Sequence, residues 1–221
     1  MSFSLVSEIT TDDERIILYY VLEKGARKIT KTSATEWLNK NEIRDVDVDN
    51  AFDLLSSIDG GTLENNTLRL GITAFRKYSA NASTILKELR GCVDRHKVIA
   101  ADTFVTLWKE DRIDPIVKML FAYIVDEKIS TFGDRWMAEK QIASIRAWEN
   151  KNNLLLELSS NDERGLQFLL QNRLVYENGW TDHGNVREYA LYPSLQKLLF
   201  NCPQKVRAEL EEIKEEHGLP F

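Results

Sequence analysis

Cysteine, histidine and proline are scarce in this sequence, and no long apolar run occurs; each shortage removes a class of protein. The two cysteines, Cys92 and Cys202, cannot build a disulfide framework, which points to a reducing, cytoplasmic setting. Three histidines leave little material for His-based acid–base catalysis. Cys92 and His96 stand four residues apart, a spacing that puts both on one helical face. A structural zinc takes four ligands, however, and the other donors, Cys202, His183 and His217, are widely scattered. A buried thiol and a histidine at the solvent edge are therefore expected, with no metal and no cofactor. Four prolines and ten glycines exclude a collagen-like or linker-like chain. No stretch approaches the ~18 apolar residues of a membrane helix, so no membrane partner is expected. Residues 1–8 also lack the basic and apolar regions of a secretory signal. No G-x-S-x-G, H-E-x-x-H, phosphate loop or dinucleotide fingerprint is found. Glu212-Ile213-Lys214 spells the E-x-K of metal-dependent nucleases, but in a charged terminal helix where such a match arises by chance. The expectation is a protein that is not an enzyme.

What is present is an ordinary globular balance over 221 residues, 43% hydrophobic and 29% charged, with room for one large domain or two small ones. The net charge of −6 is unevenly spread. Residues 1–64 carry −6, residues 65–110 carry +4 and residues 111–221 carry −4. A chain that coats nucleic acid non-specifically is normally basic, so phosphate contacts are expected only in the middle zone and in selected parts of the second half.

Thr11-Asp12-Asp13-Glu14 places cap-type residues and acids before the periodic set Ile16, Ile17, Tyr20 and Val21, predicting a helix that Gly25 stops. A short extended piece follows at 27–30. A second helix is predicted to open at Thr32 or Ser33, and a third to run from about Asp45 to Ile58 with Val48, Ala51, Phe52, Leu55 and Ile58 inward. Residues 62–70 then read as two strands around Asn65-Asn66, and another helix starts at Ile72. The second half repeats the order. Asp114-Pro115 opens a helix, a second spans about 134–150, and Asn161-Asp162-Glu163 opens a third with Leu166, Leu169 and Leu170 inward. Strands at 173–180 and 186–192 flank a longer turn, while residues 154–158 suit either a strand or a buried helix turn.

Three short helices, a small hairpin and a closing helix within ~70 residues resemble the winged helix-turn-helix superfamily in element order and spacing. The expected fold class is mainly α with small β-hairpins (α+β). It comprises two winged-helix domains, residues 1–78 and 113–200, joined by a helical linker at 79–112 and followed by a terminal helix at 201–221. The five tryptophans, Trp37, Trp108, Trp136, Trp148 and Trp180, are expected to fill cores.

The resemblance implies a third helix that enters the DNA major groove and a wing that touches backbone or minor groove. The first unit's third helix is ill suited to that role. Asp45, Asp49 and Asp53 recur every four residues, an acidic stripe that phosphate would repel and that suits a basic partner protein. The second unit offers Arg164, Gln167 and Gln171 on its third helix, and His183, Asn185 and Arg187 in its wing. Lys140, Gln141 and Arg146 lie on the helix before. Arg69, Arg76 and Lys77, with Lys87, Arg90, Arg95, His96 and Lys97, could grip phosphate without reading sequence. A solvated polar face with no partner is the plain alternative for all of them. Val206, Leu210 and Ile213 form an apolar stripe that either pairs with a second copy or packs on its own domain. Two functions stay open: a DNA-binding regulator or nucleoprotein component that also docks a protein, and an adaptor whose winged helices bind proteins alone.

Overall fold

A computed structural model describes residues 6–133, 140–155, 157–160, 162–181 and 186–218. The chain divides after Val98 into two units, each with its own apolar core. It is a mixed α+β protein in which helices dominate around two small three-stranded antiparallel sheets. No helix among the described residues is long and apolar enough to cross a membrane.

The first unit begins with α1 (Asp12–Lys24), started by a reciprocal cap. Thr11 accepts from the Glu14 amide, while the Glu14 carboxylate accepts from the Thr11 amide at 2.8 Å. Gly25 ends α1 at φ 61°, a left-handed conformation that glycine adopts without a Cβ clash. Strand β1 (Lys28–Thr30) leads directly into α2 (Lys31–Lys40). Thr30 is the cap, rather than Thr32 or Ser33, because its own hydroxyl reaches the Ser33 amide. Helix α3 (Val48–Ser56) starts at the first residue of its apolar pattern, three residues after the expected boundary at Asp45. Asp47 caps it, and Asp45 lies outside it at φ 58°. Strands β2 (Thr62–Glu64) and β3 (Thr67–Arg69) flank Asn65-Asn66, both at positive φ as a tight hairpin turn requires. The sheet order is β1–β3–β2, with Ile29 and Leu63 both opposite Leu68.

Helices α4 (Ile72–Ala80) and α5 (Ala82–His96) complete this unit. The separate linker expected at 79–112 is not an element of the fold. Helix α5 packs against α1 and buries Ile85, Leu89, Cys92 and Val93 in the first core. An antiparallel bridge from Ile43 to Lys97 ties its end to the same unit, and α6 (Ala100–Lys109) belongs to the second. The linker pattern was a core stripe, because an i, i+4, i+8 apolar face is stable only where something covers it.

The second unit repeats the order helix, strand, helix, helix, hairpin, helix, helix. Asp114 and Pro115 open α7 (Pro115–Glu127), with the Asp114 carboxylate accepting from the Val117 amide at 3.1 Å. Strand β4 (Thr131–Gly133) follows, a three-residue piece too short for any periodicity to reveal. Helices α8 (Lys140–Lys151) and α9 (Asp162–Gln171) precede β5 (Val175–Thr181) and β6 (Val186–Leu191), giving the sheet order β4–β6–β5. The predicted start of α8 near 134 lies outside the described residues. Leu154 forms an isolated bridge with Gly218, and the carboxylate of the buried Glu149 accepts from the Leu158 and Ser159 amides. Leu154 and Leu158 are thus buried with neither the strand nor the helix turn that their run suggested. Gly165 lets α9 approach α7 closely, since a Cβ there would lie 2.7 Å from a Leu120 methyl carbon.

Helices α10 (Pro193–Phe200) and α11 (Gln204–Glu216) close the unit. The dimerisation stripe is not available for a second copy. Helix α11 lies along α7, Leu210 and Ile213 are buried in the second core, and Val206 packs against it. Lys214, donating to Asp126 at 3.1 Å, and Trp108, donating to Glu209, pin the same helix.

Candidate nucleic-acid interface

Helix α9 buries Leu166 and Leu169 and turns Glu163, Arg164, Gln167 and Gln171 to solvent. Leu170, expected inside, is 37% exposed on this outer surface, because α9 faces the core with a narrower stripe than three leucines imply. The Arg164 guanidinium lies 3.1 Å from the Asp114 carboxylate, the group that caps α7, so part of its charge is already answered. From α9 the chain turns through Arg173 into the hairpin, where Arg187 is exposed. Its guanidinium sits 5.1 Å from the centre of the Trp180 ring. Arg146 is exposed on α8. His183 and Asn185 lie outside the described residues, as does the side chain of Lys140.

Gln141 does not join this face. It is buried at the start of α8 and lines a pocket of about 260 Å³ with Tyr123, Ser130, Thr131 and Ser144, where its side-chain oxygen has no hydrogen-bond partner among the described residues. A polar residue type suggested exposure, but the neighbouring turns of α7 and β4 enclose it.

Trp180 is likewise misjudged by composition: it is 55% exposed, whereas Trp148 is buried and Trp37 and Trp108 are half-buried. Trp136 lies outside the described residues. The register shifts between Glu177 and Gly179, and Gly179 adopts φ 121°. Beyond that irregularity Trp180 pairs across the ladder with Arg187. A bulge of this kind re-aims the side chains that follow it, and a lone glycine inside a strand pattern is the signal that could have found it.

In the first unit Arg69 and Arg76 are exposed and form no ion pair among the described residues. Lys77 is committed to Glu8 at 2.8 Å, and the same carboxylate oxygen accepts from the Tyr78 hydroxyl at 2.6 Å. Burial alone would raise the Glu8 pKa, but these two donors outweigh it and hold the group at about 2. Burial, then Glu8 itself, pushes the Tyr78 phenol well above its ordinary range. The acidic stripe is shorter than expected. Asp49 and Asp53 are exposed on α3, Asp49 facing Lys31, while Asp45 precedes the helix on a separate left-handed turn.

Among Lys87, Arg90, Arg95 and Lys97, all exposed on or just after α5, Arg95 is bound to Asp12 at 2.9 Å. Cys92 donates to the Asp12 carbonyl at 3.5 Å, and burial, followed by hydrogen bonding to the Asp12 carboxylate, pushes its thiol up to about 12. His96 has Nδ1 3.0 Å from the Arg44 carbonyl and Nε2 3.7 Å from the Asp12 carboxylate. Among the described residues no group of three or more potential metal ligands occurs.

No protein-family model, curated protein or solved structure matches this chain. The functional reading therefore rests on the chain's own geometry. Its second unit sets two arginines, two glutamines and an exposed aromatic ring on a helix and the adjoining hairpin. Those groups can contact phosphate, base edges and base faces.

Proposed function

We propose that this chain is a tandem winged-helix protein, a non-enzymatic component of a nucleoprotein assembly in a reducing compartment. Its second unit contacts DNA through α9 and the β5–β6 wing, and its first unit docks a basic surface of a partner protein through α3. The observation that carries the DNA reading is the outward face of α9. Arg164, Gln167 and Gln171 are presented together there, on the helix that immediately precedes the hairpin. The unit's order of elements and its β4–β6–β5 sheet support the same reading, since in winged-helix proteins this helix and wing approach the duplex together.

A second reading, an adaptor that binds proteins only, is favoured by one specific observation. Arg164, Lys77 and Arg95 each face a carboxylate of their own unit. Binding measured against salt separates the two. Three phosphate contacts from Arg146, Arg164 and Arg187 would give a log–log slope of about −3. Arg164→Ala with Arg187→Ala should reduce that slope by about 2 with little change in melting temperature. Absence of binding to any DNA at low salt refutes the DNA reading and leaves the adaptor.

A further inference from the structure

Trp180 exposes the largest share of any large apolar side chain among the described residues, ahead of Ile72 at 48%. Leaving so much aromatic surface in water forgoes the burial that usually anchors a tryptophan. We propose that Trp180 and Arg187 form a stacking platform on the second wing for an unpaired DNA base, so that the preferred ligand is a duplex with a single-stranded overhang. The proposal rests on the DNA reading above and narrows it to a class of substrate.

Three independent features of the hairpin support the platform. Trp180 and Arg187 are direct cross-strand partners, and the guanidinium covers the ring at 5.1 Å while more than half of the tryptophan stays exposed. A cation over one face fixes the ring's orientation and adds to its attraction for a π system. The strand irregularity at Gly179 is the second feature. At φ 121° the backbone there suits glycine, and it resets which residues lie opposite one another just before Trp180. The third is chemical fit. A nucleotide joins a flat base to a phosphate anion, matching a ring beside a guanidinium. The first unit's hairpin, three residues to a strand, carries no aromatic ring, so the platform belongs to the second wing.

Bases inside a duplex already stack on both sides, which is why the occupant is a base lacking a neighbour. The test uses the full chain, its Trp180→Ala and Trp180→Phe variants, a blunt duplex and the same duplex with an oligothymidine overhang. The expected result is that Trp180→Ala weakens overhang binding about tenfold, weakens blunt-duplex binding much less, and is largely rescued by Phe. Overhang DNA should also quench tryptophan fluorescence in the parent chain and not in Trp180→Phe. If the parent binds both DNAs and Trp180→Ala affects neither, or both equally, the platform is refuted while the DNA reading stands. If neither DNA binds the parent at low salt, both fall.

Discussion

Truncating Leu210 to alanine distinguishes a core helix from a dimerisation helix. Leu210 is 2% exposed in the second core, on the face of α11 that lies along α7. Removing three side-chain carbons costs about 2 kcal/mol in transfer free energy alone. The cavity left behind adds to this, and a helix near the end of the chain can settle to recover some of it. A loss of about 3 kcal/mol follows, within the usual range for buried leucine. For a unit of this size that corresponds to about 12 °C in melting temperature. The assay is thermal unfolding followed by tryptophan fluorescence, repeated over about a hundredfold range of protein concentration. Trp108 and Trp148, both in contact with the second core, report that unit. A packing role predicts the full loss at every concentration, whereas a homodimer interface predicts a midpoint that rises with concentration in the parent and a variant that becomes monomeric. Glu212, exposed on the same helix, is the control: Glu212→Ala should change stability by less than about 0.5 kcal/mol. A concentration-dependent parent and an undiminished Leu210→Ala would refute the assignment of α11 to the core.

Four further variants have defined expected outcomes. Because Glu8 is held at about 2 against an ordinary 4.5, its contribution to first-unit stability is complete above pH 4.5 and drains away as pH falls toward 2. Urea midpoints across that window should therefore decline less steeply for Glu8→Gln, and identical slopes would contradict the bonded geometry. Gly71→Ala places a Cβ 2.1 Å from the Asp59 carbonyl oxygen and should cost about 1–3 kcal/mol or more. Gly91→Ala, on the exposed face of α5 with only the end of Arg95 nearby, should stabilise by about 0.5–1 kcal/mol, and calorimetry of the pair checks both signs. Asp49→Lys with Asp53→Lys should leave the fold intact, since the Asp49–Lys31 pair is a surface one worth about 0–1 kcal/mol. The same variant should abolish salt-sensitive binding of oligolysine, and retained binding would clear α3 of the docking role.

Local signals were legible wherever the deciding groups lie within one helical turn. The Thr11–Glu14 cap, the Asp114-Pro115 start and the Asn65-Asn66 turn each involve neighbours no more than three residues apart, and the sequence alone determines them. Much of the order of helices and hairpins likewise follows from the apolar period in each segment, β4 excepted. Tertiary structure decided what covers each apolar stripe and what answers each charge. The stripes of α5 and α11 look alike in sequence to a linker face and a dimer face, yet both are core because α1 and α7 happen to meet them. Lys77 is taken by Glu8, 69 residues away, Arg164 by Asp114, and Gln141 is enclosed by α7 and β4. Trp180 is exposed just past the register shift between Glu177 and Gly179. Burial and ion pairing depend on segments far apart in the chain, whose approach no periodicity encodes. That is why the architecture was readable from the amino acids while the composition of the binding face was settled by folding.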